Sequence, residues 1–158
     1  MSTEVAAEFR PEESKEVSAP ARDAIRDLAL AVSQLEEQVD CPLIHYFAHG
    51  LYGRRIFMQA GICVVSRVHK HQHLTVVLYG RAIVRDAFGN EKLIEGPDVF
   101  VTEPGTQRAL LIDTDSEWMT IHHVDTTEER SGDEMKEFLT FKTFAEYEDY
   151  LAALPSPE

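Results

Sequence analysis

Hydrophobic and polar residues alternate over most of the middle of the chain, in short runs that end at turn residues. Between residues 43 and 124 the runs are LIHYFAH, RRIFMQ, ICVVSRV, HLTVVLYGRAIVRDA, EKLIE, DVFVTE, QRALLI and EWMTIHHV. Glycine, proline and aspartate clusters separate them, and AFGNE between two of the runs is typical of a hairpin turn. Short strands at this even spacing predict an antiparallel β-sandwich or β-barrel.

Before this region, apolar residues recur with the period of a helix. Ser18 is a good helix cap and Pro20 suits a first helical turn. Apolar residues then recur at helical spacing: Ala21, Ile25, Leu28, Val32, Leu35 and Val39. This pattern predicts a helix over residues 19–40, which ends before Pro42 because a residue that precedes proline avoids the α region.

The two ends of the chain are acidic. Residues 1–18 are polar and aperiodic, which predicts a disordered arm. Residues 125–158 form an acidic C-terminal segment, and TFAEYEDYLAAL within it predicts a short amphipathic helix. The expected organisation is therefore an arm, a helix, one β-domain over 43–124 and this C-terminal segment.

Charge and composition narrow the functional classes. The 158 residues carry a formal net charge of −13, which argues against binding to nucleic acids and against docking on anionic membranes. The sequence has no apolar run long enough to span a bilayer and no secretory h-region at its start. Cys41 and Cys63 form no C-x-x-C motif and are expected to be reduced thiols, so we predict a cytoplasmic protein. Exposed sheet edges and the apolar stripe of the first helix predict a homo-oligomer, a dimer or larger.

Three of the seven histidines stand at alternate positions in RVHKHQHLTVVLYG. On a strand, His69, His71 and His73 would share one face. Neutral imidazole is a common ligand of iron, nickel and zinc, so the pattern predicts a divalent metal site (Fe, Mn, Ni or Zn). The alternative is a polar strand face with histidines bonded to water or to backbone carbonyls. Positions i and i+2 are about 7 Å apart along a strand and i and i+4 about 13 Å, so His73 joins the first two only if the chain bends.

The order of these features resembles the cupin superfamily. His69-Lys70-His71 matches the H-x-H of the first cupin motif, Gly80 ends the strand that follows, and Pro104-Gly105 falls in the second motif. The resemblance covers roughly residues 43–124 and implies an all-β fold, a cupin-like antiparallel β-barrel or double-stranded jelly roll. The layout is also similar to that of small cupin-like proteins of tailed bacteriophages and prophages.

The resemblance also implies where a substrate would lie. The second cupin motif contains a histidine ligand, and this chain has Gln107 or Arg108 at that position, depending on the glycine from which one counts. Arg108 suits a carboxylate or phosphate, and its alternative role is a surface ion pair. His122 matches the phage-like layout and is a candidate pocket residue. Tyr79 is in phase with the alternating histidines and is a candidate pocket phenol, with an ordinary core tyrosine as the alternative.

Three functions are consistent with these features. The first is a metal-dependent cupin enzyme, an oxygenase, isomerase or lyase, because three histidines without a carboxylate leave a positive site that suits a small anionic molecule. The second is a non-catalytic, phage-encoded protein that binds a small-molecule ligand in the barrel. The third is a structural or assembly protein that uses the barrel as a scaffold.

Overall fold

The computed structural model describes residue 16 and residues 18–125 and 130–156. The predicted disordered arm therefore falls almost wholly outside the described residues. Three helices and eleven strands occupy the described ranges, in this order: α1 Ala19–Ser33, β1 Leu43–Ala48, β2 Leu51–Met58, β3 Cys63–Val65, β4 Val68–His69, β5 His73–Tyr79, β6 Arg81–Asp86, β7 Glu91–Glu95, β8 Asp98–Thr102, β9 Arg108–Ile112, β10 Ser116–His123, α2 Gly132–Leu139, β11 Thr140–Phe141 and α3 Phe144–Ala153.

The strands form two larger antiparallel sheets and one short ribbon. The first sheet has the order β1-β2-β10-β5-β8, the second has the order β3-β9-β6-β7, and β11 pairs with β4. The prediction of an antiparallel β-domain over 43–124 is confirmed, and so is the hairpin at AFGNE, which joins the paired strands β6 and β7.

The main core lies between these two sheets. Alternating positions on the first sheet supply Met58, Val77 and Trp118, and the second sheet supplies the residues that meet them: Ala82, Val84, Ile94, Leu110 and Ile112. Inward and outward residues alternate along each strand because successive side chains point to opposite faces. The same alternation directs the functional side chains described below.

The first helix is shorter than its apolar stripe predicts. Ser18 caps it, accepting a hydrogen bond from the Ala21 amide at 3.4 Å, as expected. The helix ends at Ser33 instead of residue 40, and only Ile25 is buried, against the second sheet. The Gln38 side-chain amide donates to two backbone carbonyls near this end. These carbonyls therefore have a hydrogen-bond partner without a further helical turn.

The C-terminal segment covers one end of the double sheet. The predicted terminal helix is present as α3, with Thr143 and Glu146 forming a capping box. The helix α2 was not predicted, because the acidic run 125–137 was read as polar chain. It buries Met135 and Leu139 beside Tyr52, and β11 then pairs with the strand that carries His69. The acidic segment therefore forms part of the domain.

None of the helices in the described part of the chain is sufficiently long and apolar to cross a membrane.

Candidate functional site

A bend in the chain brings His69 and His73 together. His69 is the last residue of β4 and His73 the first of β5, with residues 70–72 outside any strand. The backbone of His69 is held on both sides, since its amide donates to the Thr106 carbonyl (2.9 Å) and its carbonyl accepts from Gly105 (2.8 Å). The two imidazole centroids are 4.6 Å apart, far closer than positions i and i+4 of a straight strand.

His122 joins this pair from the neighbouring strand. Strands β5 and β10 are antiparallel with Leu74 opposite Ile121, so His73 and His122 lie next along the ladder and point to the same side. Their ring centroids are 4.2 Å apart. We call His69, His73 and His122 the histidine cluster.

Each member of the cluster has a buried ring nitrogen without a hydrogen-bond partner: His69 Nδ1, His73 Nε2 and His122 Nδ1. In His73 and His122 the other ring nitrogen has a hydrogen-bond partner. His73 Nδ1 lies 2.9 Å from the His71 carbonyl, to which it donates, and His122 Nε2 lies 3.0 Å from Thr120 Oγ1. A neutral His73 that donates through Nδ1 carries a lone pair on Nε2. Buried polar atoms normally have a hydrogen-bond partner. Three unpartnered ring nitrogens on adjacent imidazoles therefore indicate a binding site for a metal ion or a polar ligand.

The electrostatics keep the cluster neutral. Burial lowers the pKa of His73 to about 4, and burial together with the charge of His73 lowers the pKa of His122 to about 3. Burial, followed by the neighbouring His73, holds the pKa of His69 well below its ordinary value. At neutral pH all three rings are therefore unprotonated, which is the form that binds metal ions.

A cavity of about 320 Å³ opens beside the cluster, with His69 and His122 in its wall. Most of the wall is apolar: Ile56, Met58, Val64, Leu110, Trp118, Met135 and Leu139. The last two belong to α2, so this helix forms one side of the cavity. Among the residues that the structure describes, no aspartate or glutamate lines it.

The polar part of the wall is basic. Arg54, Arg67 and Arg108 all line the cavity. Arg67 forms an ion pair with Glu137 (Nη1–Oε1 3.1 Å), and Arg108 donates from Nη2 to Thr102 Oγ1 (3.1 Å). Burial lowers the pKa of Arg54, which forms no ion pair with any carboxylate in the described ranges. The cavity thus combines neutral imidazoles, guanidinium groups and apolar surface.

Only some of the four residues that the sequence predicted to bind a substrate lie in the cavity wall. Arg108 and His122 line the cavity, and their predicted role in binding a substrate stays a prediction. Gln107 is buried, its side-chain amide donates to the Ser66 carbonyl (3.1 Å), and it does not line the cavity. Tyr79 is exposed, because a bulge in β5 places Leu78 between two successive pairs with β10 and reverses the alternation.

His71 lies outside the cluster. The bend at residues 70–72 turns its side chain outward, where it is exposed and its ring centroid is 6.3 Å from that of Phe138. Its backbone carbonyl still contributes by accepting the hydrogen bond from His73. The sequence favoured His69 and His71 as the closer pair and required a bend for His73 to join them. The turn at residues 70–72 instead brings His69 and His73 together and leaves His71 apart from them.

Two groups of site residues were missed in the sequence. Arg54 alternates with Tyr52, Ile56 and Met58 on the inward face of β2, and a strict period of two over LYGRRIFM would have placed it there. Tyr52 is buried, and its hydroxyl lies 2.6 Å from His45 Nδ1. The helix α2 also has a signal, namely Ser131 followed three residues later by Glu134, the sequence signature of an N-cap.

The three unpartnered nitrogens of the cluster are chemically suitable ligands for a divalent metal, since all of them belong to adjacent neutral imidazoles. In the present side-chain positions, however, no group of three or more His, Cys, Asp or Glu residues within 18–125 and 130–156 forms a metal site.

The solved structures similar to the chain include three cupins. One is an RmlC-like cupin from Shewanella frigidimarina, with 20% identity and a TM-score of 0.43 over 56% of this chain and 86% of that chain. Another is an RmlC-like cupin with a double-stranded β-helix fold from Methanocaldococcus jannaschii, with 6% identity and a TM-score of 0.45 over 56% and 92%. A cupin superfamily protein from Desulfitobacterium hafniense has 13% identity and a TM-score of 0.43 over 60% and 87%.

No protein-family model matches the sequence, and no curated protein matches it. The resemblance to phage proteins is not tested by these structures and stays a prediction. Among the solved structures that the chain resembles are RmlC-like cupins and a further cupin superfamily protein.

Proposed function

We propose that the protein binds one divalent metal ion through His69, His73 and His122, and holds a small anionic molecule in the adjoining cavity. The observation that carries the proposal is the set of three buried, unpartnered ring nitrogens on adjacent imidazoles. Leaving a buried polar atom unpaired costs about 1–3 kcal/mol, and a single metal ion would satisfy all three. Iron, nickel and zinc are candidate ions because imidazole ligands suit them, and manganese is the fourth ion to be tested.

The residues around the cluster would orient its ligands. The His71 carbonyl fixes the ring of His73, and Thr120 Oγ1 contacts the ring of His122. Such outer contacts set the tautomer and direction of metal-bound histidines. When bound, the metal would act as a Lewis acid toward a ligand in the cavity. Arg54 and Arg108 would bind the anion, and Met135 and Leu139 would exclude water from one side.

The test is metal removal and replacement. Protein treated with a chelator is dialysed and titrated with iron, manganese, nickel or zinc, while calorimetry records stoichiometry and a thermal scan records the melting temperature. We expect one ion per chain and a stabilisation of about 2.7 kcal/mol at a hundredfold excess over the dissociation constant. His123→Ala, on the opposite face of β10, serves as the matched control for His122→Ala. If none of the four ions binds stoichiometrically, the proposal is contradicted.

A second candidate is a metal-independent binding protein. It is favoured by the side-chain positions themselves, which form no metal site in the described ranges. In that case His69 and His122 line a pocket for the same anion and donate to it through their unpartnered Nδ1 atoms. A ligand that binds equally well to chelator-treated and metal-loaded protein would support this candidate over the first.

A further inference from the structure

Arg54 is a basic residue of the cavity wall that forms no ion pair with a carboxylate among the described residues. It lies on β2 opposite Thr120 of β10, two residue pairs along the ladder from the pair of Tyr52 and His122. It is half-buried in the cavity wall, and burial is the main cause of its lowered pKa. An arginine held in this way without a carboxylate is costly, unless a ligand supplies the negative charge.

The positive potential extends across the cavity. Both Arg108 and Arg54 contribute to the lowered pKa of His69, so the two guanidinium groups lie within electrostatic reach of the histidine cluster. Arg54 also lowers the pKa of His122, and Arg108 that of His73. Because the described wall has no carboxylate, this cavity is cationic in a protein whose formal net charge is −13.

The remainder of the wall is unsuited to a small inorganic anion. Trp118 is 6% exposed and Met135 1% exposed, and both face the cavity together with aliphatic side chains from both sheets. The volume of about 320 Å³ lies at the lower end of the range of about 300–1,000 Å³ that holds organic ligands. An inorganic ion would leave most of this apolar surface in contact with water.

From this arrangement we infer that the ligand is an amphipathic organic acid, whose carboxylate or phosphate head is bound by Arg54 and whose apolar body packs against Trp118 and Met135. This deepens the proposed function, since it assigns the chemical class of the anion in the same cavity. Arg54 would decide the specificity for charge, because its planar guanidinium offers two parallel donors to a carboxylate or phosphate.

The experiment compares matched probes by calorimetry. The probes are 4-phenylbutanoate, its neutral amide 4-phenylbutanamide, phenyl phosphate, acetate and inorganic phosphate. We expect at least one of the two aromatic anions to bind at least tenfold more tightly than the amide. The same anion should also bind at least tenfold more tightly than the small anion that carries its head group, which is acetate for 4-phenylbutanoate and inorganic phosphate for phenyl phosphate. The ratio of 4-phenylbutanoate to phenyl phosphate identifies which head the site prefers.

Neighbouring arginines on β2 provide the control variants. Arg54→Gln should weaken binding of the preferred aromatic anion at least tenfold, without weakening binding of the amide. Arg55→Gln should leave both affinities unchanged, because Arg55 points to the outer face, where it pairs with Glu117. Arg54→Lys, which keeps the charge and loses the fork, should give an intermediate affinity and provides the same test if Arg54→Gln does not fold.

Each titration is run on chelator-treated and on metal-loaded protein, which separates this inference from the metal site. Aromatic anions that bind through Arg54 without any metal uphold the inference while the metal proposal fails. Stoichiometric metal binding combined with no binding of either aromatic anion overturns the inference while the metal proposal stands. Equal affinities for acid and amide, or an Arg54→Gln variant that binds like wild type, also overturn it.

Discussion

The imidazole of His73 lies against that of His122, with ring centroids 4.2 Å apart, although one begins β5 and the other is near the end of β10. The antiparallel register of the two strands places them side by side, and the bend after His69 adds the third ring. The site therefore depends on strand pairing as much as on the spacing of histidines along the chain.

Acid should destabilise the metal-free protein through the histidine cluster. Histidine in the unfolded chain titrates near pH 6.5, whereas burial lowers the pKa of His73 to about 4 and of His122 to about 3 in the folded protein. Below pH 6.5 the unfolded chain binds more protons, so the free energy of unfolding is greatest above this pH and falls as the pH decreases toward 4. Each ring contributes a slope of about 1.4 kcal/mol per pH unit in this window.

Urea unfolding between pH 7.5 and 4.5, in the presence of chelator, measures this slope. His122→Asn should make it shallower by the contribution of one ring. His123→Asn, which changes an exposed residue on the opposite face of the same strand, should leave the slope as in wild type. An identical slope in His122→Asn and wild type would show that His122 is not held neutral by the fold.

Gly80 should tolerate alanine much less well than Gly61 does. Both have positive φ (94° and 87°), so alanine costs roughly 1–2 kcal/mol of backbone strain at either position. A Cβ on Gly80 would also overlap Ser116 Oγ and the backbone of Asp115, whereas one on Gly61 meets nothing within 4 Å. Chemical denaturation should therefore show a larger loss for Gly80→Ala, and equal losses would contradict the close approach of β5–β6 to residues 115–116.

The helix α2 should contribute to the stability of the whole domain. Met135 is 1% exposed and packs with Tyr52 and Leu139, so Met135→Ala should lower the free energy of unfolding by about 2–5 kcal/mol. Phe138→Ala, three residues later on the same helix, should cost much less because Phe138 is 40% exposed. Equal effects of the two substitutions in thermal or urea unfolding would show that α2 does not dock as described.

The predicted homo-oligomer has a clear candidate surface on the outer face of the five-stranded sheet. Leu74 is paired with Val101 and Val76 with Val99, and three of these four are between 43% and 56% exposed. Soluble proteins rarely leave a contiguous apolar face of this kind uncovered, so we expect a second copy of the chain to cover it.

Light scattering at micromolar concentration should give a mass above the 17.9 kDa of one chain. Leu74→Lys combined with Val101→Lys should shift the mass to that of a monomer. Leu93→Lys, at an exposed position on β7 of the other sheet, should not. A monomeric wild type would exclude this interface.

The alternating pattern was sufficient to predict the strands, because each buried face repeats every second residue. It could not predict the end of α1, since Leu35 and Val39 continue the helical period without a surface to bury them. The histidine spacing identified His69 and His73, but the turn that excludes His71 is fixed by distant groups. The Lys70 amide donates to the Leu139 carbonyl at 2.9 Å, and Leu139 lies in a helix that the acidic composition obscured.

The choice of the third metal ligand is tested most directly by comparing His122→Ala with His71→Ala. Calorimetric titration of each chelator-treated variant with the ion that wild type binds gives the dissociation constant. If His69, His73 and His122 are the ligands, His122→Ala should lose at least tenfold in affinity, and His71→Ala should bind as wild type does. A large loss in His71→Ala with wild-type binding by His122→Ala would contradict the proposed site and restore the set of alternating histidines.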